Sequence, residues 1–503
     1  MNSLLRVGAL VLALVLISIL TFVPSNQNDF WVQAAVGRIV TETGEIPKTV
    51  LFTYTWAKDQ AFFPHEWLPS VAFYLLEEHL GHDRLVLVVG LVGWSLFALS
   101  FGLAWRVSRN FGVSLATACM AMLVANYRHF LRPELFALVL FLAYLHLLEH
   151  YRQTRRPWAL LCCVPLVVVW ANSHGSFVLG PIVALIFAAG EGLESARAAG
   201  SSTWRERVNA VLNGGAAYAV TAVAMLLATM ANPRGLDTYH YVWELSNSSV
   251  FKASIQEWHP TFSSLFMPTR GFRIFVAAIA VTALVVAWRW RRLRATEGLL
   301  LLAFMALASV SLRYVVWFGF VAMLVCARLA PAALPPRGEK ALLGLVAGLS
   351  AVGIGLALRF GNAHGAFPYH AGSEEFTEPM LEQLSRPEVQ GNVLNSYSLG
   401  AELIYRAYPR LRPSIDSRAD AYGEAYTLMH VGLMGDEKAL TAFTDDFDVR
   451  YILVTWSDFE TLKKLPGLPA AWQMQFADHK AVLLRRTKPM SGTLSPSEQK
   501  SAP

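Results

Sequence analysis

The sequence predicts a polytopic helical membrane bundle followed by a small C-terminal α/β domain, and three observations lead there. Of its 503 residues, 54% are hydrophobic and 16% are charged, whereas a soluble chain carries about 25% charged residues. Apolar runs of roughly 17–25 residues recur along the first 360 positions, each long enough to cross a bilayer. Arginines crowd alternate loops: Arg106 and Arg109; Arg152, Arg155 and Arg156; Arg197, Arg205 and Arg207; Arg289, Arg291, Arg292 and Arg294; then Arg337 with Lys340. That alternation is the bias of cytoplasmic loops. It accounts for the net charge of +6 without a nucleic-acid partner.

About eleven spans can be marked, near 4–23, 84–105, 112–128, 134–150, 158–171, 176–190, 209–230, 273–288, 297–311, 314–330 and 341–359. The first run exceeds the roughly 7–15 apolar residues of a signal peptide and has no clean small-residue cleavage site, so it reads as a retained span. The arginine loops put the N-terminus in the cytoplasm. An odd number of spans then puts the C-terminal domain outside, as in a multi-pass bacterial inner-membrane protein. Cys119, Cys162, Cys163 and Cys326 all fall in apolar segments and suggest small buried residues rather than a disulfide framework.

Residues 1–360 form the expected membrane domain, with outer loops over 24–83 and 231–272. The first loop carries Pro47, Tyr54, Trp56 and Pro64, then an amphipathic helix over 66–80 with Trp67, Leu68, Val71, Leu75 and Leu76 near helical spacing. The second holds Trp243, Trp258, Phe262 and Phe266, which suit a membrane interface. Over 361–486, short apolar stretches at 391–395, 412–416, 451–455 and 481–484 alternate with helical patterns such as 400–408, which reads as a small α/β domain. The polar tail 487–503 reads as disordered.

Polar clusters gather at the outer ends of the spans: Asn28-Asp29, His65-Glu66-Trp67, Arg132-Pro133-Glu134, Asn172-Ser173-His174-Gly175, Asn232-Pro233-Arg234, Glu257-Trp258-His259 and Arg313-Tyr314. Asp29, beside Phe30 and Trp31, suits a general base acting on an acceptor hydroxyl, or simply a helix-end acid. His65 and Glu66 suit a second acid–base pair, or the N-terminus of the amphipathic helix. His65-Glu66 lacks the second histidine of a zinc motif, so no zinc is expected, and a divalent cation is left open. Arg132, Arg234 and Arg313 can grip phosphate with planar forks or reach to lipid head groups. With Glu134, Asn172, His174, Glu257, Trp258 and Tyr314 they form the candidate substrate-binding set on this face. Tyr397, Asp416 and Arg418 are the terminal domain's candidates, against the alternative of internal capping and salt bridges. No phosphate loop, dinucleotide fingerprint or serine-hydrolase elbow is present in the sequence.

The combination Asn28-Asp29-Phe30-Trp31, Gly37-Arg38, Pro47, Phe52-Thr53-Tyr54 and His65-Glu66-Trp67-Leu68 resembles the first outer loop of a group of bacterial polytopic proteins. The group is related to the GT-C glycosyltransferases, which include protein O-mannosyltransferases and the aminoarabinose transferase of lipid A. Arg132-Pro133-Glu134-Leu135-Phe136, Trp170-Ala171-Asn172-Ser173-His174-Gly175, Asn232-Pro233-Arg234-Gly235, Glu257-Trp258, Asn395-Ser396-Tyr397, Ile415-Asp416-Ser417-Arg418-Ala419-Asp420 and Tyr422-Gly423 extend the resemblance over nearly the whole chain. It implies a membrane enzyme that takes a sugar from a polyprenyl-phosphate donor and passes it to an extracytoplasmic acceptor: a surface glycan, a lipid or a protein. Asp29 would then be the base. Mannosyltransferases often carry adjacent acids there, but Phe30 follows Asp29, so either Glu66 supplies the second acid or there is none. The contrasting expectation is a non-enzymatic transporter or assembly subunit for a surface glycan; scarce charge in mid-span speaks against a transport relay.

Overall fold

A computed structural model describes residues 2–22, 28–200, 203–247, 256–331, 334–363 and 375–487. Beyond its first residue, the tail expected over 487–503 lies outside them. The chain divides into two compact units: Met1–Ser25 with His79–Ala371, and Asn26–Glu78 with Gly372–Pro503. Residues 26–78, attached above to the membrane domain as an outer loop, thus group with the C-terminal domain.

The first unit contains a helix in each expected span: Asn2–Thr21, Leu85–Ser108, Phe111–Ala125, Pro133–Thr154, Trp158–Ala171, Leu179–Ala199, Trp204–Ala228, Arg270–Arg289, Ala295–Val310, Val315–Leu329 and Pro336–Ala363. Eight of them, some with an adjoining turn, are long and apolar enough to cross a membrane. Phe111–Ala125, Trp158–Ala171 and Ala295–Val310 have 15, 14 and 16 residues. They measure only about 21–24 Å, against a hydrocarbon core of about 30 Å. Among the described residues the expected eleven full spans therefore become eight, with three short helices between them.

Arg109, Arg155 and Gly200 end helices in left-handed conformations, with φ of 54°, 57° and 55°. The two arginines also place cations at the negative ends of helix dipoles. Helix Val315–Leu329 is enclosed, with every residue from Val315 to Ala327 buried. Its Trp317 stacks on Trp170 at 6.0 Å and meets Phe141 edge-on at 5.1 Å. Nearby, a Cβ at Gly215 would sit 2.4 Å from the Ala188 carbonyl oxygen. A bare glycine there lets helices Leu179–Ala199 and Trp204–Ala228 meet backbone to backbone.

The second unit is built on a five-stranded sheet of β1 (Gly391–Asn395), β2 (Leu411–Pro413), β3 (Val449–Thr455), β4 (Trp472–Ala477) and β5 (Ala481–Arg486), in the order β2-β1-β3-β5-β4. β1 pairs in parallel with β2 and β3, while β5 runs antiparallel to β3 and β4. Alternate residues serve two cores, as a strand's two-residue period requires. Ile452, Val454, Val482 and Leu484 pack with Phe443 and Leu462. Tyr451, Leu453 and Leu483 pack with Met380 and Leu403. The segment after Thr43 lies on this domain: Thr53 Oγ1 donates to the Ser414 carbonyl at 3.2 Å, Tyr54 OH to the Val393 carbonyl at 3.3 Å, and Trp56 meets Phe447 at 4.8 Å. The amphipathic helix runs Trp67–Leu80, and a helix not foreseen in the sequence precedes the segment, Asn28–Thr43.

One end of the first unit holds a buried ion network. Arg152 is 2.6 Å from Glu297, 2.8 Å from Glu191 and 3.1 Å from Glu149. Arg328 pairs with Glu149 and, at 2.9 Å, with Glu297, while Arg294 lies 3.3 Å from Glu191. Glu149, Glu191 and Glu297 are almost wholly buried, so their charges persist only because they are paired. Arg152, which reads in the sequence as one more loop arginine, is the hub that joins three helices. Arg152→Ala is expected to destabilise the protein by about 3–5 kcal/mol, because it strands buried carboxylates. A large fall in unfolding temperature of the detergent-solubilised protein checks this.

Candidate ionic and acidic sites

At the opposite end of the same helices a second ion cluster forms from three segments. Helix Phe111–Ala125 runs into a 3-10 turn, Asn126–Arg128, and the chain re-enters helix at Pro133 with Glu134 in the first turn. Proline suits that first position because no donor is needed there, and an acid in the first turn complements the helix dipole. Arg128 Nε donates to Glu134 at 2.7 Å, and the Arg128 guanidinium also contacts Glu257. Arg132 Nη1 donates to the other Glu257 oxygen at 3.0 Å. The Arg313 guanidinium lies 4.3 Å over the Trp258 ring. Backbone bonds fix the last two segments to one another: Ser311 Oγ donates to the Glu257 carbonyl at 2.8 Å, and Leu312 N to the His259 carbonyl at 3.1 Å.

Arg132, Glu134, Glu257, Trp258 and Arg313 are thus brought together as the sequence suggested, and Tyr314 packs beside them against the apolar core. Burial pushes the Glu257 carboxyl up, but the guanidiniums of Arg128, Arg132 and Arg313 outweigh it and hold the group well below the usual carboxylate range. Among the described residues three guanidiniums gather here around two carboxylates, so this end of the bundle suits an anion. Arg128, the cation shared by both acids, escaped the sequence analysis. It follows an apolar span and carries no spacing signal.

Asn172, His174 and Arg234 of the same unit make other contacts. Asn172 Nδ2 donates to the carbonyls of Val168 and Ala231 at 2.9 and 2.8 Å, tying two helix ends. His174 Nδ1 lies 2.7 Å from Ser176 Oγ and caps the next turn. Arg234 pairs with Asp237 at 3.0 Å and lies 4.5 Å over Tyr241.

In the second unit, Asp29 is partly buried in the first turn of Asn28–Thr43, beside fully enclosed Phe30 and Trp31. Gln33 lies one turn further along the same face, at a Cβ separation of about 6 Å for such a pair. Gln33 Nε2 donates to Glu66 at 2.7 Å, and His65 Nε2 stands 3.6 Å from the other Glu66 oxygen. Glu66 is therefore bonded to the helix that carries Asp29. Gly37 makes this approach sterically feasible: a Cβ there would fall 1.9 Å from the Ser70 carbonyl oxygen. Arg38 Nη1 donates to the Tyr405 carbonyl at 3.1 Å, and Arg406 lies 4.6 Å over Trp31, which anchors the same helix on the C-terminal fold.

The terminal-domain candidates are occupied internally. Buried Asp416 accepts from Arg418 Nε at 2.9 Å, Arg418 Nη2 at 2.7 Å, the Arg418 backbone at 2.9 Å and Tyr422 OH at 2.7 Å. Arg418 is 5.1 Å from both the Phe52 and Phe62 rings, and Tyr397 OH donates to the Ser417 carbonyl at 2.8 Å. Arg418, oriented by Asp416, and Tyr397 pack against the 44–64 segment. Among the described residues no group of three His, Cys, Asp or Glu side chains is placed to hold a metal ion.

No protein-family model matches the sequence, and no curated protein matches it. Solved structures do resemble it. The oligosaccharyltransferase AglB of Archaeoglobus fulgidus, in complex with an inhibitory peptide and a dolichol-phosphate, aligns with TM-score 0.58 at 12% identity over 96% of this chain and 74% of that one. ArnT from Cupriavidus metallidurans aligns with TM-score 0.56 at 15% identity over 96% of this chain and 97% of that one. The arabinofuranosyltransferase AftD from Mycobacteria gives 0.52 at 13% identity over 97% of this chain, which spans 40% of that larger one. These structural neighbours are GT-C glycosyltransferases, and at such identities the likeness establishes the fold.

Two outcomes follow from the geometry of the second unit. Gly37→Ala is expected to force the helices Asn28–Thr43 and Trp67–Leu80 apart and to lower the unfolding temperature, whereas Gly44→Ala, where a Cβ meets nothing within 4 Å, costs only the strain of its left-handed backbone. Burial raises the Asp416 carboxyl, but Arg418 and Tyr422 hold it below its ordinary value. A depressed folded-state value contributes stability that is fully present above an unfolded value of about 4 and is lost as pH falls through the lower folded one. Thermal scans between pH 7 and pH 3 should show this loss, and Asp416→Asn should be less stable at pH 7 with a flatter acid dependence.

Proposed function

We propose that this protein is a membrane glycosyltransferase that moves a sugar from a polyprenyl-phosphate donor to an extracytoplasmic hydroxyl acceptor. The observation that carries the reading is a GT-C fold whose membrane unit gathers Arg128, Arg132 and Arg313 at one end of its helices. AglB was solved with a dolichol-phosphate, and a lipid phosphate is the anion such a cluster suits.

In this reading Arg128 and Arg132 hold the donor phosphate, with Arg313 beside them. The acceptor oxygen attacks the anomeric carbon as the bond from that carbon to the phosphate oxygen breaks, which inverts the centre. The polyprenyl phosphate leaves as a dianion whose charge the guanidiniums stabilise, so it needs no proton. Asp29 takes the acceptor's proton. Glu66, held by Gln33 one turn away from Asp29, keeps a second negative charge near the base and favours its protonation. In this reading the N-terminus is cytoplasmic and the acids lie outside, in the inner membrane of a bacterium, which the arginine bias of alternate loops supports.

Asp29→Asn should abolish transfer, measured as loss of the glycan from surface material by mass spectrometry, with normal amounts of protein in the membrane. Full activity in that variant would refute the assignment. Glu66→Gln should reduce the rate about tenfold to a hundredfold and leave donor binding unchanged.

A further inference from the structure

The Glu257 carboxylate sits where the proposed phosphate belongs. One of its oxygens meets Arg128 and the other meets Arg132, the bridging geometry that two phosphate oxygens would adopt. The two acids of the cluster are held differently. Glu134 is in the first turn of a 22-residue helix, behind Pro133. Glu257 belongs to a three-residue 3-10 turn, and its side chain is about a quarter exposed, as is that of Arg132. The backbone around Glu257 is pinned by Ser311 and Leu312, so its carboxylate can leave the guanidiniums by side-chain rotation alone, without moving the turn.

We propose that Glu257 is an internal counter-anion that occupies the arginine cluster in the empty protein and is displaced by the phosphate of a polyprenyl-phosphate ligand. The proposal rests on the glycosyltransferase reading of the arginines. Two anions on one guanidinium pair repel each other, so occupancy is exclusive. While the site is empty, Glu257 spares Arg128 and Arg132 an uncompensated charge. When the ligand arrives, Arg128 stays fixed by Glu134 and presents the face that Glu257 vacates. After transfer the phosphate product carries one more negative charge than the donor and is held more tightly. The returning carboxylate competes with it and speeds its release.

The test is binding of a short-chain polyprenyl monophosphate to the full-length protein in detergent, with the parent polyprenol and phosphatidylglycerol as controls. Glu257→Gln keeps the shape and removes the charge. It should bind the monophosphate about tenfold more tightly and be inhibited by it correspondingly more strongly in transfer, with little change for either control. Combining it with Arg132→Gln should remove the gain. Unchanged or weaker binding by a folded Glu257→Gln protein overturns this proposal and leaves the parent reading standing. An equal gain for phosphatidylglycerol assigns the site to bulk lipid head groups and overturns it as well. Absence of monophosphate binding in wild type and variant alike overturns both readings. Should Glu257→Gln fail to fold, Glu257→Asp, too short to span both guanidiniums, should tighten binding in the same direction, and no tightening there overturns the proposal too.

Discussion

Charge buried among apolar helices has to be paired, and this one constraint orders the membrane unit. Helices Pro133–Thr154, Ala295–Val310 and Val315–Leu329 each have one end in the Glu149–Arg152–Glu191–Glu297–Arg328 network and the other beside Glu257. Glu134 and Arg152 lie eighteen positions apart on one helix, about 27 Å at 1.5 Å per residue. Between the two layers the packing is apolar, with Trp170, Trp317 and Phe141 at its centre. Helices clamped at both ends cannot slide along their axes without exposing a carboxylate to hydrocarbon. The arginines of the Glu257 end are therefore presented from a frame fixed elsewhere.

The two ends differ in how far their carboxylates are enclosed. In the buried network the three carboxylates are met by Arg152, Arg328, Arg294 and, 3.9 Å from Glu191, Arg155, and all three are shut off from solvent. Around Glu257 three guanidiniums face two acids, and Glu257 with Arg132 remains partly open. A cluster whose carboxylates are sealed holds helices; one whose carboxylate is half-open can exchange it for another anion. The same contrast appears in the second unit, where Asp416 is saturated by Arg418 and Tyr422 while the acids near Gln33 stay partly accessible.

Hydropathy made the eleven helical segments legible, because length and apolar content are properties of a run and need no partner. The strands β1, β2, β3 and β5 were visible for the same reason. β4 was not, since it is an edge strand whose exposed positions dilute its pattern. Helix Asn28–Thr43 was missed because Phe30, Trp31, Val32, Ala34, Ala35 and Val36 are all buried; a helix enclosed around much of its circumference shows no apolar stripe. Of the site, the grouping of Arg132, Glu134, Glu257, Trp258 and Arg313 was legible from their common place at helix ends. The part played by Arg128 and Arg152 was not, because it depends on which carboxylates three-dimensional packing brings alongside. Tyr397, Asp416 and Arg418 form a dense polar motif that bonds within its own domain, in line with the internal capping and salt bridges the sequence also offered.

The three short helices bear on the bilayer itself. Phe111–Ala125, Trp158–Ala171 and Ala295–Val310 all finish at the Glu257 end of the bundle, followed by Arg128, Asn172 and Ser311. Ala295–Val310 is moored at its other end, where Glu297 binds Arg152. Were the paired end level with its membrane face, the deficit of about 6 Å relative to the hydrocarbon core would fall on the side of the arginines. Such hydrophobic mismatch thins the surrounding leaflet or lets water and head groups sink to meet the protein. A lipid phosphate would then reach the guanidiniums by moving sideways within a dimpled leaflet, at its own depth, with its hydrocarbon tail never leaving the membrane.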